Sequence, residues 1–570
     1  MSLGSFDRAA ALERLAASPF DVLVIGGGIT GAGVALDAAS RGLRTALVER
    51  ADFASGTSSK SSKMVHGGLR YLQQGEVGLV YQALHERQRL RHNAPHLVGI
   101  LPFLLPTFTK GGPIPRKLAW ALGQAMWLYD LTGGLRIGKR HEKLSHDEVL
   151  AHMPTLKEHR VAGGYLYYDA KADDARLTLA LARSAVLDHG AVAANGVSVA
   201  GLTTGEDGRV DGADVVVADP AEGQPASFHI TASVVVNAAG VWSDEVRTLA
   251  EGSDPDSIRP AKGVHITVPW GLVRNDIAAV IPVPGDKRSV FVVPWGDHAG
   301  EASRVTYIGT TDTDYDGSIE DPTCTPDDVE YLLRAINGAI EGTITDADIV
   351  GTWAGLRPLV KDAGSERTAD LSRRHKVRQS DSGLVTITGG KLTTYREMAE
   401  DTVDEVRSLL TGDARSRGKR KTQTKKLLLH GAKHFDAARG TTVEGLTTEQ
   451  VDHLIGRFGN ETAAVVALIE ADSGLAEPLV AGLPYLRAEA LFAVREEMAR
   501  SLDDVLSRRT RARLLARDAS AEAAASVAAL IGPDLGWDET EQAAQVNAYR
   551  DSIVAERTAA GLPETTLADA

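Results

Sequence analysis

Residues 21–49 read DVLVIGGGITGAGVALDAASRGLRTALVE, and their pattern decides the fold. Asp21–Ile25 is a short, apolar, β-branched run of the kind that forms buried parallel strands. Three glycines, Gly26, Gly27 and Gly28, then lead into an Ala-rich stretch that reads as a helix and stops at Gly42. Arg44–Glu49 reads as a second strand. Strand, glycine turn, helix, strand and a terminal acid within about thirty residues make the setting that a dinucleotide fingerprint requires. There Gly26 permits the tight turn, Gly28 lets the backbone approach a pyrophosphate, and Gly31 lets helix and strand pack closely. The helix start offers free N–H groups and a partial positive charge to the phosphates. Glu49, 18 residues past Gly31, is placed to accept hydrogen bonds from a ribose. The fingerprint alone does not separate FAD from NAD.

The chain around this unit has 570 residues, too many for one core, since single cores stop growing near ~250–300 residues. Hydrophobic residues make up 43% and charged residues 24%, the composition of an ordinary globular protein, which excludes a disordered, collagen-like or membrane-spanning chain. The net charge of −14 is the opposite of what a global nucleic-acid binder carries, and no nucleic-acid partner is expected. The single cysteine, Cys324, has no intramolecular disulfide partner, which points to a reducing, cytoplasmic setting. Residues 1–20 hold no apolar signal-peptide core. No metal site is expected.

Further strands follow the fingerprint. Ser233–Asn237 (SVVVN) runs into Ala238, Ala239 and Gly240, and Leu384–Thr388 (LVTIT) runs into Gly389, Gly390 and Lys391 ahead of a helical stretch. Ser289–Val293 and Val305–Gly309 read as adjacent antiparallel strands. The nucleotide-binding unit is therefore expected in pieces, at 20–110, 165–255 and 350–410, with a substrate-covering cap at 111–164 and 256–349. A Lys- and Arg-rich run marks a basic linker at 411–429, and helical patterns fill an accessory domain at 430–570.

Several motifs now add up. GTSSK at 56–60 and MVHGGLRYL at 64–72, together with the glycine loop, strongly resemble the FAD-dependent glycerol-3-phosphate dehydrogenases. DDARL at 173–177, NAAGVW at 237–242, KGVHI at 262–266, VPW at 293–295, IGTTD at 308–312, GLRPL at 355–359 and GGKLTTYR at 389–396 extend the resemblance in order. It implies an α/β fold of the glycine/D-amino-acid oxidase class: a Rossmann-like FAD-binding domain, an antiparallel-sheet substrate cap and a C-terminal α-helical domain. It also implies FAD as cofactor, oxidation of sn-glycerol 3-phosphate to dihydroxyacetone phosphate by hydride transfer from C2, and membrane quinone as electron acceptor; related oxidases use oxygen. A homodimer is compatible with it.

The resemblance carries residues with it. Thr57, Ser58, Ser59, Gly67 and Gly68 join Gly26, Gly28, Gly31 and Glu49 as cofactor-binding candidates. Ala239 and Gly240 follow, as do Gly390, Lys391, Leu392 and Thr393, at a helix start whose N–H groups can stabilise charge on a reduced flavin. Planar arginines suit a phosphate, and Arg70, Arg357 and Arg373 are the candidates, with Arg374 an alternative to Arg373 and Tyr71 a further donor. For the hydroxyl proton, His265 titrates in the useful range and competes with Lys391; His66 is a third candidate.

Leu118–Leu131 carries Trp120 and Trp127 with basic residues on both flanks, which suits either a buried helix or one lying at a bilayer surface. It is too short to span, so the expected location is the inner face of the membrane, peripherally. An oxygen-using oxidase is the near alternative, and a flavin-bearing nucleic-acid-binding protein the distant one.

Overall fold

A computed structural model describes residues 4–68, 76–109, 137–220, 223–286, 288–296, 305–361, 375–437 and 439–565. Strand Phe20–Ile25 is buried along its whole length, as its apolar, β-branched residues require. It pairs in parallel with Thr45–Val48 on one side and Ser227–Asn237 on the other. Among the described residues the first sheet runs Lys376–Gln379, Val385–Thr388, Ser227–Asn237, Phe20–Ile25, Thr45–Val48, Val192–Ala194. The chain leaves Phe20–Ile25 toward one side and returns on the other, so the glycine loop sits at the crevice where ligands of open α/β sheets bind. Helix Ile29–Ser40 packs closely against helix Tyr395–Leu409: a Cβ on Gly33 would lie 2.7 Å from the Tyr395 ring.

The second sheet is largely antiparallel and centres on Ile258–Pro269, flanked by Val305–Gly309 and Gly351–Val360. Ser289–Trp295 pairs antiparallel with Val305–Gly309, as their sequence suggests. Several segments depart from the expected division. Val98–Phe108 and Gly351–Val360, read as parts of the nucleotide-binding pieces 20–110 and 350–410, run in this second sheet, as does Val161–Ala172 beyond residue 165. Sheet membership follows hydrogen-bond partners distant in sequence, and an apolar run reads alike in either sheet.

The C-terminal part is helical, with Thr448–Phe458, Thr462–Ala471, Arg487–Glu496, Arg517–Leu535 and Glu539–Ala560 as its longest described members. The basic run before it is not a freely solvated linker. Arg417 pairs with Asp21 at 2.7 Å, Lys425 with Glu400 at 3.0 Å, and the Thr424 hydroxyl donates to Asp37 at 3.2 Å. Acids on the nucleotide-binding unit draw the run down. Leu118–Leu131 lies outside the described residues; among those described, no helix is long and apolar enough to cross a membrane.

Candidate active site

The glycine loop is shaped by what lies against it. Gly26 has φ +109°, and a Cβ there would sit 2.7 Å from the Ala238 carbonyl oxygen. A Cβ on Gly31 would run into the Gly26 carbonyl. Gly28 opens the helix with no side-chain cap of its own; the Ile29 N–H donates instead to Ser58 Oγ at 2.9 Å. The Glu49 carboxylate accepts the N–H groups of Gly27 (2.6 Å) and Ala51 (2.9 Å). Burial pushes its carboxyl pKa up while those two donors pull the other way, and a carboxylate holding two bonds can accept more.

Residues 56–63 form a strap between the two sheets. Thr57 Oγ1 donates to the Leu356 carbonyl at 2.6 Å, Trp353 Nε1 to the Ser61 carbonyl at 3.1 Å, and Tyr307 Oη to the Ser62 carbonyl at 3.0 Å. The Ser62 hydroxyl bonds His265 Nε2 at 2.9 Å. Behind the strap, Asp174 accepts from the Ser61 N–H (2.9 Å) and hydroxyl (2.6 Å). Lys63 Nζ donates to the Ser59 carbonyl at 3.0 Å and to Asp174 at 3.2 Å, and lies 4.6 Å from the Trp353 ring centre. Burial lowers this ammonium to about 8, against the pull of Asp174.

The facing wall is one side of the second sheet. His265 is opposite Trp353, Gly263 opposite Gly355, and Ala261 opposite Arg357. Strand alternation therefore puts His265, Trp353 and Arg357 on one face, separated by glycines. A Cβ on Gly263 would meet the Arg357 guanidinium and, at 2.7 Å, Thr310 Oγ1; one on Gly355 would lie 2.5 Å from the Lys60 carbonyl. Arg357 is held by Asp312 (3.1 Å), Thr310 Oγ1 (3.2 Å) and the Thr311 carbonyl (3.3 Å). His265 is buried, with Nδ1 lacking a hydrogen-bond partner among the described residues. Its pKa is driven well below 6.5, chiefly by burial and further by the Lys63 and Arg357 charges.

The third wall is the turn after Val385–Thr388. Gly389 and Gly390 both have positive φ, 75° and 81°, and a Cβ on Gly390 would run into Met398 Sδ. Thr393 Oγ1 accepts the His66 N–H at 3.2 Å, joining this turn to the second sheet's edge. The walls enclose a cavity of about 1420 Å3 that extends from Gly26 and Glu49 to His265, Arg357 and Lys391, with Phe103, Leu105, Val280 and Phe291 among its apolar lining.

Comparison with known proteins agrees with this geometry. Residues 21–396 match the FAD dependent oxidoreductase family, and residues 422–542 match the C-terminal domain of alpha-glycerophosphate oxidase. The glycerol-3-phosphate dehydrogenase 2 of Mycobacterium tuberculosis is 39% identical over 574 residues, covering 100% of this chain and 94% of the relative. The mitochondrial glycerol-3-phosphate dehydrogenase of Homo sapiens is 36% identical, covering 94% of this chain and 73% of its own length. The chain belongs to the FAD-dependent glycerol-3-phosphate dehydrogenase family. Its structure overlays that of the Bacillus halodurans glycerol-3-phosphate dehydrogenase complexed with FAD, with TM-score 0.74, 29% identity and 98% of each chain covered. The fold is thus the Rossmann-like FAD domain with sheet cap and helical C-terminal domain, and the cofactor is FAD.

The residues present fit that cofactor. Gly26 and Gly27 leave no room for a Cβ, Gly28 opens the helix with no side chain of its own, and the elongated cavity begins there. Of the candidates for this dehydrogenase-family site, Gly26, Gly28, Glu49, Thr57, Ser58 and Gly68 line the cavity. So do Ala239, Gly240, Gly390, Lys391, Leu392 and Thr393, together with His66, His265 and Arg357. Gly31, Ser59 and Gly67 lie behind the lining, and the Thr57 hydroxyl is engaged by Leu356. Arg70, Tyr71, Arg373 and Arg374 lie outside the described residues. Sequence reading missed Ser62, Lys63, Trp353 and Asp312. The alternation Trp353–Gly355–Arg357 was the available signal, because a glycine between two large residues marks a face cleared for a neighbour.

Proposed function

We propose that the protein oxidises sn-glycerol 3-phosphate at C2 to dihydroxyacetone phosphate and delivers the electrons, by way of FAD, to membrane quinone. The observation that carries this reading is the shared face of Arg357 and His265, which turns a phosphate-sized cation and a neutral imidazole toward one cavity. FAD, when bound, supplies the acceptor for the two electrons and the C2 hydrogen.

The chain's own residues do the rest. Arg357 has its guanidinium oriented by Asp312 and Thr310, and its forked N–H groups hold the substrate phosphate. The resemblance adds Arg70, Tyr71 and Arg373, which lie outside the described residues, as further candidates for the phosphate. His265, neutral at physiological pH, accepts the C2 hydroxyl proton as the hydride leaves. Arriving phosphate offsets the Arg357 charge, which removes one of the two cationic influences holding the His265 pKa down. Lys391, at the strand-to-helix turn, brings positive charge to the reacting end of the cavity. Phe103, Phe291 and Val280 keep that end poor in water.

Anaerobic addition of glycerol 3-phosphate to the purified holoenzyme is the test: the flavin absorbance should bleach, and an unchanged oxidised spectrum would overturn the substrate assignment. A second reading, oxygen as acceptor, is favoured by the likeness of residues 422–542 to the alpha-glycerophosphate oxidase domain. Measuring hydrogen peroxide beside quinone reduction separates the two. Quinone use carries with it a peripheral position on the inner membrane face, which co-sedimentation with anionic vesicles checks.

A further inference from the structure

The strap at residues 56–63 borders the cavity on one side and the C-terminal domain on the other. Arg511 comes from the helical domain, at the far side of the turn after Asp504–Arg509, and its side chain is fully buried. It reaches the strap in two ways. Its Nη1 donates to the Ser59 carbonyl at 3.4 Å, and its other guanidinium nitrogens hold Asp173 (2.6 Å) and Asp174. Asp174 is the residue that accepts both bonds from Ser61 and receives Lys63. Ser62, the residue between them, bonds His265, and Ser58, four positions earlier, bonds the first N–H of the cofactor-facing helix.

A neighbouring arginine makes a parallel connection on the other flank of the cofactor crevice. Arg509 forks onto Asp52 at 2.7 and 2.8 Å, and Asp52 lies three residues past Glu49. One short C-terminal segment thus grips both chain stretches that shape the nucleotide end of the cavity. The grip is made of buried, charge-assisted, forked bonds, which hold geometry better than single contacts. Small rearrangements behind a site displace the groups in front of it, because packed interiors transmit strain.

We propose that Arg511 is a positioning residue of the cofactor site: acting through Asp174, it sets the strap Gly56–Lys63, so that the C-terminal domain governs how tightly FAD is held and where Ser62 presents itself to His265. The inference rests on the reading of the strap as a cofactor border, and it does not depend on which substrate is oxidised. Anaerobic bleaching by glycerol 3-phosphate in the unaltered enzyme tests that other question separately.

The experiment uses full-length protein and reads FAD binding directly. Arg511→Met, Arg511→Lys and Ser61→Ala are prepared with Arg495→Met, which removes an exposed C-terminal ion pair with Asp534, as control. The FAD dissociation constant is followed by flavin fluorescence well below the melting temperature of each variant. Arg511→Met should weaken FAD about tenfold or more, Arg511→Lys should recover only part of that loss, since it keeps a charge beside Asp174 but not the fork, and Arg495→Met should bind as the unaltered protein does. Ser61→Ala should weaken FAD by a smaller factor, and its effect should fail to multiply with that of Arg511→Lys, since both act through Asp174. If Arg511→Met does not fold, the Ser61→Ala and Arg511→Lys pair decides the matter alone. Unchanged FAD affinity in Arg511→Met, or independent multiplicative effects of Ser61→Ala and Arg511→Lys, would overturn the proposal.

Discussion

His265 lies flat against Trp353, with ring centroids 4.6 Å apart and planes 8° from parallel. The stack fixes the plane of the imidazole, its Nε2 bonds the Ser62 hydroxyl, and Gly309 beneath it leaves no room for a side chain. An imidazole so fixed meets the cavity through the Ser62 hydroxyl, which bonds its Nε2 and lines the same space. Replacing it by His265→Asn should lower kcat by about 10²–10⁴-fold with a small change in KM, the effect expected for a lost general base. Steady-state kinetics check this; a kcat within threefold of the unaltered enzyme's, on the order expected for a mere neighbour, would remove His265 from the mechanism.

The pH dependence of kcat/KM follows from the direction of the His265 shift. The proton-accepting form is the neutral one, so activity is present above the folded pKa and lost as pH falls through it. Burial, Lys63 and Arg357 put that pKa well below 6.5, so kcat/KM should stay level as pH falls through 6.5. A half-loss at 6.5 that persists with free glycerol, which carries no titrating phosphate, would show an ordinary, solvated histidine instead.

Arg357 makes its strongest case through the substrate's phosphate. Arg357→Ala should raise KM for glycerol 3-phosphate by about 10–100-fold, the range of one or two charge-assisted hydrogen bonds, and leave turnover of free glycerol nearly unchanged. Arg357→Lys should restore little, since a point charge does not reproduce the fork. Equal losses with both substrates would contradict the phosphate role.

Gly31 tests the cofactor cradle independently of chemistry. The Cβ of Gly31→Ala would press on the Gly26 carbonyl, whose own position is fixed by φ +109°. Overpacking of this kind costs about 1–3 kcal/mol and here displaces the phosphate-facing turn. The variant should melt lower and purify with little bound flavin, as absorbance shows.

His430 stitches the C-terminal domain to the nucleotide-binding unit, bonding Asp188 at 3.2 Å and Glu461 at 3.2 Å. Burial lowers its pKa, but the Asp188 and Glu461 carboxylates outweigh that and raise it to about 9. A folded pKa raised above the ordinary 6.5 gives stability that is fully present below 6.5 and lost as pH rises through about 9. After solvent screening, His430→Gln should cost about 1–2 kcal/mol at acid to neutral pH and nearly nothing well above pH 9. Melting temperatures of the two proteins across that range should converge on the alkaline side.

The sequence by itself determined whatever depends on neighbours in the chain. The β-branched run at 21–25, the glycines at 26, 28 and 31 and the acid at 49 are local requirements of a turn, a close approach and a strand end, so they are readable in order. His265 and Arg357 were legible as residue types suited to the reaction. Their meeting was decided by the register that sets Ala261 opposite Arg357 and His265 opposite Trp353. Sheet membership of Val98–Phe108 and Gly351–Val360 was decided in the same way, because backbone hydrogen bonds choose partners far along the chain and apolar runs look alike. The buried charges were hidden for a stronger reason. Arg511 stands 452 residues from Ser59, and an arginine looks the same in sequence whether it is solvated or bound by Asp173 and the buried Asp174. Only folding takes the water away from such a group, and only then does its partner matter.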